Sequence, residues 1–181
     1  MKCKNCKQKF EVKFFNQKFC KSNNDCLTSE AMYLLEQKKK NDKKKWQKEK
    51  KVLKERTMTL SDWLKITQKT FNAYIRKRDA NQNCISCNKP LKVGNVDCGH
   101  YYSAGGHYNL RFNEDNCHAQ HSRPCNKDKS GDLINYRIGL INRIGYERLT
   151  QLEALSQITR NFTIQELKDI NETYKQKLKQ W

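Results

Sequence analysis

Four cysteines within the first 26 residues are spaced as a metal site. Cys3 and Cys6 are separated by two residues and Cys20 and Cys26 by five, with 13 residues between the two pairs. Two intervening residues let both sulfur atoms face one ion, and the second pair can complete the tetrahedron of thiolates that Zn²⁺ prefers. We therefore predict a structural zinc module at residues 1–26, since so short a segment cannot bury enough surface alone. The alternative is that only some of these cysteines bind metal.

A second candidate zinc site draws its ligands from two distant pairs. The pairs are Cys84 with Cys87 and, after an insertion of 33 residues, His121 with Cys125. A set of three cysteines and one histidine closes a tetrahedron without an open position, which indicates a structural ion. The residues leave one alternative open, because Cys98 or Cys117 can replace His121 as the fourth ligand. Otherwise these two cysteines are expected to be packing residues. About two zinc ions per chain are predicted in all.

The order of groups in this region is specific. A cysteine pair is followed by an acidic residue and a histidine, and a second pair then opens a helix with Asn126. In this order the stretch 84–131 resembles the HNH, or ββα-metal, endonucleases that carry a structural zinc. Nearly the whole chain is similar to the NinG/Rap recombination endonucleases of lambdoid phages. The segments that carry the similarity are NAYIRKRD (72–79), CISC (84–87), DCGHY (97–101), LRFNE (110–114), NCH (116–118), CN (125–126), KSG (129–131), YR (136–137) and IG (144–145).

The resemblance implies hydrolysis of a phosphodiester. A neutral imidazole at His100 can accept a proton from the attacking water near pH 7. A single divalent cation, Mg²⁺, would act as a Lewis acid on the phosphate oxygens. Asp97 and the amide oxygen of Asn126 are the hard ligands expected to hold it. This chain departs from its relatives in two places. His121-x3-Cys125 replaces a typical Cys-x2-Cys pair, and two residues separate Asp97 from His100 where many relatives have none.

The same resemblance implies further site residues. Asn116 is expected to brace the loop that carries His100, and His118 to orient the phosphate or a metal-bound water. The expected contacts to the DNA backbone come from Arg111, Lys127 and Lys129 in this region and from Lys38, Lys39, Lys40, Lys43, Lys44 and Lys45 nearer the N-terminus.

Several of these residues have an alternative interpretation. His100 can be a zinc ligand, and His118 a buried histidine with a structural role. Asn126 can serve as a simple helix cap. Outside the motif, His107 is expected to be a loop residue, and Trp63 and Phe71 are expected to be core residues rather than platforms for stacked bases.

The elements that must position these groups indicate an α+β fold. Four regions are predicted: the zinc module at 1–26, a basic helix or linker at 27–58, a nuclease core at 59–131, and a helical region at 132–181. Within the core, residues 61–79 read as an amphipathic helix capped by Ser61, and residues 91–96 as a strand. In the last region Gly139 and Gly145 should weaken or break the first helix, while Thr163 and Glu166 form a capping box for the second.

The composition points to a polyanionic partner. The formal net charge is +18, and residues 1–58 alone carry 18 basic and 7 acidic side chains. Such a surface favours nucleic acid, with an affinity that falls steeply with salt. No apolar run is long enough for a membrane span, and the start shows no secretory signal. The nine cysteines are therefore expected to stay reduced in the cytoplasm, here that of a bacterial host of a phage or prophage.

The predicted function is a metal-dependent DNA endonuclease of the NinG/Rap type. By resemblance, its substrates would be branched recombination intermediates, namely Holliday junctions and D-loops. A homodimer is a further expectation, because two strands of a junction must be nicked; neither a membrane nor a small-molecule substrate is expected. The alternatives are a non-catalytic, zinc-stabilised DNA-binding protein, an RNA-directed nuclease, and an HNH endonuclease that cuts ordinary duplex DNA.

Overall fold

A computed structural model describes residues 1–180 and divides them into two compact units, residues 1–58 and residues 59–180. The first unit consists of a cysteine-lined module followed by helix α1 (Asn24–Thr57). Cys3, Phe19 and Cys26 form its small buried core. The side chain of Asn23 accepts a hydrogen bond from the Cys26 amide and caps the start of α1. The helix therefore begins three residues before the basic segment predicted at 27–58. Beyond the module α1 is almost entirely exposed, so of the two expectations for residues 27–58, a helix or a linker, the structure has the helix.

Two helices of the second unit pack against each other. They are α2 (Leu60–Arg78) and α4 (Ile164–Lys179). Phe71 of α2 is fully buried, and its ring centroid lies 4.8 Å from that of Tyr174 in α4. Trp63 is also buried, so the expectation of core roles for both aromatic residues is confirmed. The predicted cap Ser61 is wrong, because Thr59 caps α2 in a capping box with Asp62.

The predicted helix after residue 132 is α3 (Leu133–Ser156), and its two glycines act differently. Gly145 has a φ of +81° and interrupts the helix, as expected. Gly139 remains helical and lets α3 approach the backbone of Ile85, because a Cβ atom there would lie 1.8 Å from the Ile85 carbonyl oxygen. The contact joins α3 to the segment between Cys84 and Cys87. The capping box predicted at Thr163 and Glu166 is confirmed and begins α4.

A two-stranded antiparallel ribbon lies at the centre of the second unit. Its strands are β1 (Val96–His100) and β2 (Cys117–His121), paired so that His100 is opposite Cys117. The predicted strand at 91–96 is wrong: residues 91–95 are irregular, with a turn at Gly94, whose φ is +82°. Together with the helices, this ribbon makes the fold α+β. Among residues 1–180, no helix combines the length and apolarity that a membrane span requires.

Candidate metal centres and groove

The structure brings the four N-terminal cysteines together. The sulfur atoms of Cys3 and Cys26 lie 3.8 Å apart, and those of Cys6 and Cys20 lie 3.7 Å apart. A tetrahedral ion with Zn–S bonds of about 2.3 Å requires sulfur–sulfur distances of about 3.8 Å. The cluster therefore has the dimensions of a closed zinc site.

Hydrogen bonds to two sulfur atoms of this cluster favour their thiolate forms, but at Cys26 burial and the neighbouring thiols outweigh the Asn5 bond and raise the pKa to about 11. The Cys20 amide donates to the Cys3 sulfur at 3.4 Å, and the side chain of Asn5 donates to Cys26 at 3.5 Å. Burial opposes ionisation of Cys3, but the surrounding backbone donors outweigh it and lower the pKa of its thiol to about 6. Such donors neutralise part of the charge that four thiolates bring to one ion.

The second cluster joins the two distant pairs predicted from the sequence. Its members are Cys84, Cys87, His121 and Cys125, with all ligand atoms within 4.8 Å of one another. The sulfurs of Cys84 and Cys125 lie 3.9 Å apart, and the Cys87 sulfur lies 3.3 Å from Nδ1 of His121. Burial, followed by the thiols of Cys87 and Cys84, raises the pKa of Cys125 to about 12. An ion that binds here must release this proton, because only the thiolate is a ligand.

The ring of His121 is oriented for this role by its second nitrogen. Nε2 lies 3.1 Å from the carbonyl oxygen of Pro90. A carbonyl can only accept, so Nε2 carries the proton and Nδ1 presents its lone pair to the cluster. The structure thus places His121 with the three cysteines, while Cys98 and Cys117 belong to a different cluster.

A groove of about 730 Å³ lies between the end of β1 and the start of α3. His100 and Asn126 both line it. Asp97 reaches the site through Asn126, whose Nδ2 donates to Asp97 Oδ2 at 3.0 Å. The structure therefore brings His100 and Asn126 to one groove, whereas Asp97 does not line the groove and contacts Asn126. The other groove residues are Cys98, Tyr101, Tyr102, Ser103, Ala104, His107, Ser130, Gly131, Leu133, Ile134 and Arg137.

His100 is held as a neutral imidazole. Burial lowers its pKa, against the smaller raising effect of the carbonyl groups of Arg111 and Cys98. Its Nε2 lies 3.3 Å from the Arg111 carbonyl oxygen and donates to it. The lone pair is then on Nδ1, which leaves this ring nitrogen able to accept a proton.

Asn116 fixes the loop that follows His100. Its fully buried amide accepts from the Tyr102 amide at 2.7 Å and donates to the carbonyl groups of Tyr102 and Leu110 at 2.9 and 3.1 Å. Tyr102 and Leu110 of this loop are thereby both tied to Asn116, the residue directly before β2. This is the position that the predicted bracing role requires.

His118 does not reach the groove. Neighbours on a strand point to opposite faces, and His118 points away from Cys117 and the His100 side of the ribbon. It is buried, with Nδ1 2.9 Å from Arg78 and Nε2 3.2 Å from the Asp115 carbonyl oxygen. Burial also lowers its pKa. The alternative of a satisfied structural histidine describes this arrangement, and the expected contact with phosphate or a metal-bound water has no counterpart in it.

The predicted DNA-binding residues fall into separate groups. Arg111 is engaged within its own loop, where it donates to the Ala104 carbonyl at 3.1 and 3.2 Å and stacks over Tyr108. Lys127 and Lys129 are exposed just after Asn126, and Lys129 pairs with Asp132 at 3.5 Å. The six lysines at 38–40 and 43–45 are all exposed on α1 of the first unit.

Two cationic or titratable residues of the groove were not singled out from the sequence as site residues. Arg137 lines the groove and donates to Glu153 at 3.0 Å, and His107 packs its ring 4.6 Å from that of Tyr102. Arg137 lies four residues, about one helical turn, after Leu133 at the start of α3. This spacing is the signal that could have placed Arg137 and Leu133 on the same face of α3, toward the groove.

Comparisons with known proteins give one family over the whole chain and relatives that cover two thirds of it or nearly all of it. The family model described as Bacteriophage Lambda NinG protein matches residues 1–181. Protein ninG of Escherichia phage 933W is 37% identical in an alignment of 193 residues, which covers 98% of this chain and 92% of that protein. Protein ninG of Escherichia phage lambda is 44% identical over 119 residues, or 66% of this chain and 57% of that protein. Protein ninG of Salmonella phage P22 is 42% identical over 119 residues, which again cover 66% of this chain and 57% of that protein. No solved structure gives a significant match.

Proposed function

The chain belongs to the NinG family of phage proteins, and on this basis we propose that it is a metal-dependent endonuclease that cleaves branched DNA. The proposal rests on one observation: His100 and Asn126 face one groove, and Asn126 is bonded to Asp97. A base and two oxygen ligands at one site are what hydrolysis of a phosphodiester requires. In this view β1, β2 and the segment from Ser122 into α3 form an HNH core.

The donor set suits a hard divalent cation. The bond between Asn126 and Asp97 uses the amide nitrogen and one carboxylate oxygen, which leaves the amide oxygen and the second carboxylate oxygen as ligands. These two residues would hold Mg²⁺, which neutralises negative charge on the phosphate oxygens when bound. The remaining chemistry belongs to the chain itself.

His100 is the proposed general base. A water next to Nδ1 can pass its proton to the imidazole as it attacks phosphorus, while the Nε2 bond to the Arg111 carbonyl keeps the ring in place. The bracing of the following loop by Asn116 keeps the ring at the groove. Arg137, which also lines the groove and pairs with Glu153, supplies a positive charge that can attract a phosphate.

The preference for branched DNA is proposed from the resemblance to NinG/Rap endonucleases, and the charge of the chain supports a nucleic-acid substrate. The two cysteine clusters would each hold a structural Zn²⁺. Two nicks per junction favour a homodimer, with one groove for each strand.

The test is cleavage of a labelled four-way junction with and without Mg²⁺. Wild-type protein should cleave only with Mg²⁺, and His100→Ala should lose about 10²- to 10⁴-fold in rate, the usual contribution of a general base. Junction binding should be retained, and an unchanged content of structural zinc serves as the folding control. Undiminished cleavage by the variant would refute the base assignment. Binding without any cleavage by the wild-type protein would instead identify a non-catalytic DNA-binding protein.

A further inference from the structure

A third cluster of metal-ligating side chains lies beside the groove. Cys98, His100 and Cys117 bring two sulfur atoms and a ring nitrogen within 4.8 Å of one another. None of the three belongs to the four-ligand clusters described above, and neither cysteine forms a disulfide. The cluster follows from the ribbon itself, because His100 and Cys117 are directly paired and Cys98 lies two residues earlier on the same face.

Two of these side chains contact the same backbone oxygen. Cys117 Sγ lies 3.8 Å from the Arg111 carbonyl oxygen, and His100 Nε2 lies 3.3 Å from the same oxygen. One carbonyl is thus the shared acceptor for two of the three residues. A metal ion that binds the cluster would disrupt little of the surrounding hydrogen bonding, whereas two thiolates and an imidazole offer it strong ligands.

The cluster is accessible from one side. Cys98 and His100 line the groove, while Cys117 is fully buried behind them. An ion that enters the groove meets two ligands at the wall and a third beneath. Three protein ligands leave a fourth position of a tetrahedron for water, so this site differs from the two closed clusters.

We propose that Cys98, His100 and Cys117 form a third metal site, selective for a thiophilic divalent cation such as Zn²⁺, and that its occupation blocks His100 from acting as a base. The second part rests on the proposed nuclease function. A neutral imidazole has a single lone pair, which cannot bind a metal ion and accept a proton at the same time. The soft ligands also separate this site from Asp97 and Asn126, whose oxygens suit Mg²⁺.

The first experiment counts metal ions. Full-length protein is titrated with ZnCl₂, and bound zinc is measured by elemental analysis after removal of free metal. We expect three zinc ions per wild-type chain and two in Cys98→Ala/Cys117→Ala. Cys98→Ala alone is a second variant that leaves the deeper side chain intact, and it should also lose the third ion. His107→Ala is the matched control, because it alters a groove residue outside the cluster and should retain three.

Two zinc ions in the wild-type protein, or three in the double variant, would overturn the site. This result does not depend on catalysis, so it stands whether or not the protein cleaves DNA.

The second experiment measures the ratio of Mg²⁺-dependent cleavage rates with and without added ZnCl₂. We expect zinc to slow the wild-type enzyme by about tenfold or more, since it removes the general base, and to leave the ratio near one in the double variant. Equal inhibition of both proteins would place the inhibiting ion elsewhere. If neither protein cleaves DNA, the inhibitory role falls together with the proposed function, and the metal count alone decides whether the site exists.

Discussion

The ring of His121 is the one non-thiolate ligand in the two closed clusters, and its orientation depends on a single hydrogen bond to Pro90. In the segment His121-x3-Cys125 the two ligands are one position further apart along the chain than in the Cys84-x2-Cys87 pair. The cluster nevertheless closes, because Nδ1 reaches to 3.3 Å from the Cys87 sulfur. A tetrahedral site with one nitrogen and one sulfur ligand needs about 3.6 Å between them, so the longer side chain compensates for the altered spacing.

Substitution of His121 should therefore change the metal content by one ion. After dialysis against a chelator that removes weakly bound metal, we expect two zinc ions per wild-type chain and one in His121→Ala. His121→Cys is the matched control and should retain two, because a thiolate is also a zinc ligand. Elemental analysis measures the outcome. Two firmly held ions in His121→Ala would show that the fourth ligand of this site is another residue.

For single residues the sequence was most informative where spacing along the chain determines chemistry. Close pairs of cysteines must face one ion, so both clusters could be predicted without the fold. His118 and Arg111 could not be placed in this way, because their partners come from distant or irregular segments. His118 meets Arg78 from the end of α2, and Arg111 turns back to the carbonyl of Ala104.

Between elements, the end of α2 is fastened to β2 by the buried carboxylate of Asp79. Its Oδ2 accepts from the Ala119 amide at 2.8 Å, and both its oxygens accept from the Arg78 guanidinium at 2.7 and 3.0 Å. Arg143 of α3 lies 3.6 Å away. Burial raises the pKa of Asp79, but His118, Arg78 and the backbone donor outweigh it, so the pKa lies well below its usual range. One carboxylate thus joins α2, β2 and α3.

Asp79→Asn should destabilise the second unit by about 3 kcal/mol, because it leaves two arginines near an uncharged amide in a buried setting. Denaturant unfolding measures the difference. The folded-state pKa is below the unfolded value of about 3.9, so the stabilisation is present above that pH and is lost as the pH falls toward the folded-state value. The gap between wild type and variant should therefore be constant near neutrality and shrink below about pH 4.

Asp128→Asn is the control for this prediction. Its ion pair with Arg123 is exposed, and removal of such a pair changes stability by less than about 1 kcal/mol. A loss for Asp79→Asn no larger than that of the control would mean that the carboxylate does not hold the elements together.

The elements themselves were predictable to differing degrees. The long helices follow from composition and periodicity, and Gly145 ends a segment as its backbone freedom suggests. The strand β1 could not be found, since Val96-Asp97-Cys98-Gly99-His100 contains little of the apolar alternation that marks a strand. Packing rather than strand propensity explains Gly99, because a Cβ added there would lie 2.4 Å from Oε1 of Gln120. The cap at Thr59 was missed although Thr59-x2-Asp62 has the form of a capping box.

Nearly half of the basic side chains and the proposed catalytic groove lie in different units. Residues 1–58 contain 18 of the 37 basic side chains, whereas the groove belongs to the second unit. The 34 residues of α1 extend over about 51 Å at 1.5 Å per residue. An exposed helix of this length and charge is suited to binding the phosphate backbone of DNA, and such binding does not depend on base sequence.

Neutralisation of the six lysines at 38–40 and 43–45 should therefore weaken binding to all forms of DNA alike. We expect substitution of all six by glutamine to lower affinity for a four-way junction and for a linear duplex by similar factors. It should also reduce the slope of log affinity against log salt by about 0.9 for each phosphate that the variant no longer neutralises. Fluorescence anisotropy at several salt concentrations measures both quantities. Substitution of the same six residues by arginine preserves the charge and should preserve the slope. A loss confined to the junction would mean that α1 recognises the shape of branched DNA and has no general electrostatic role.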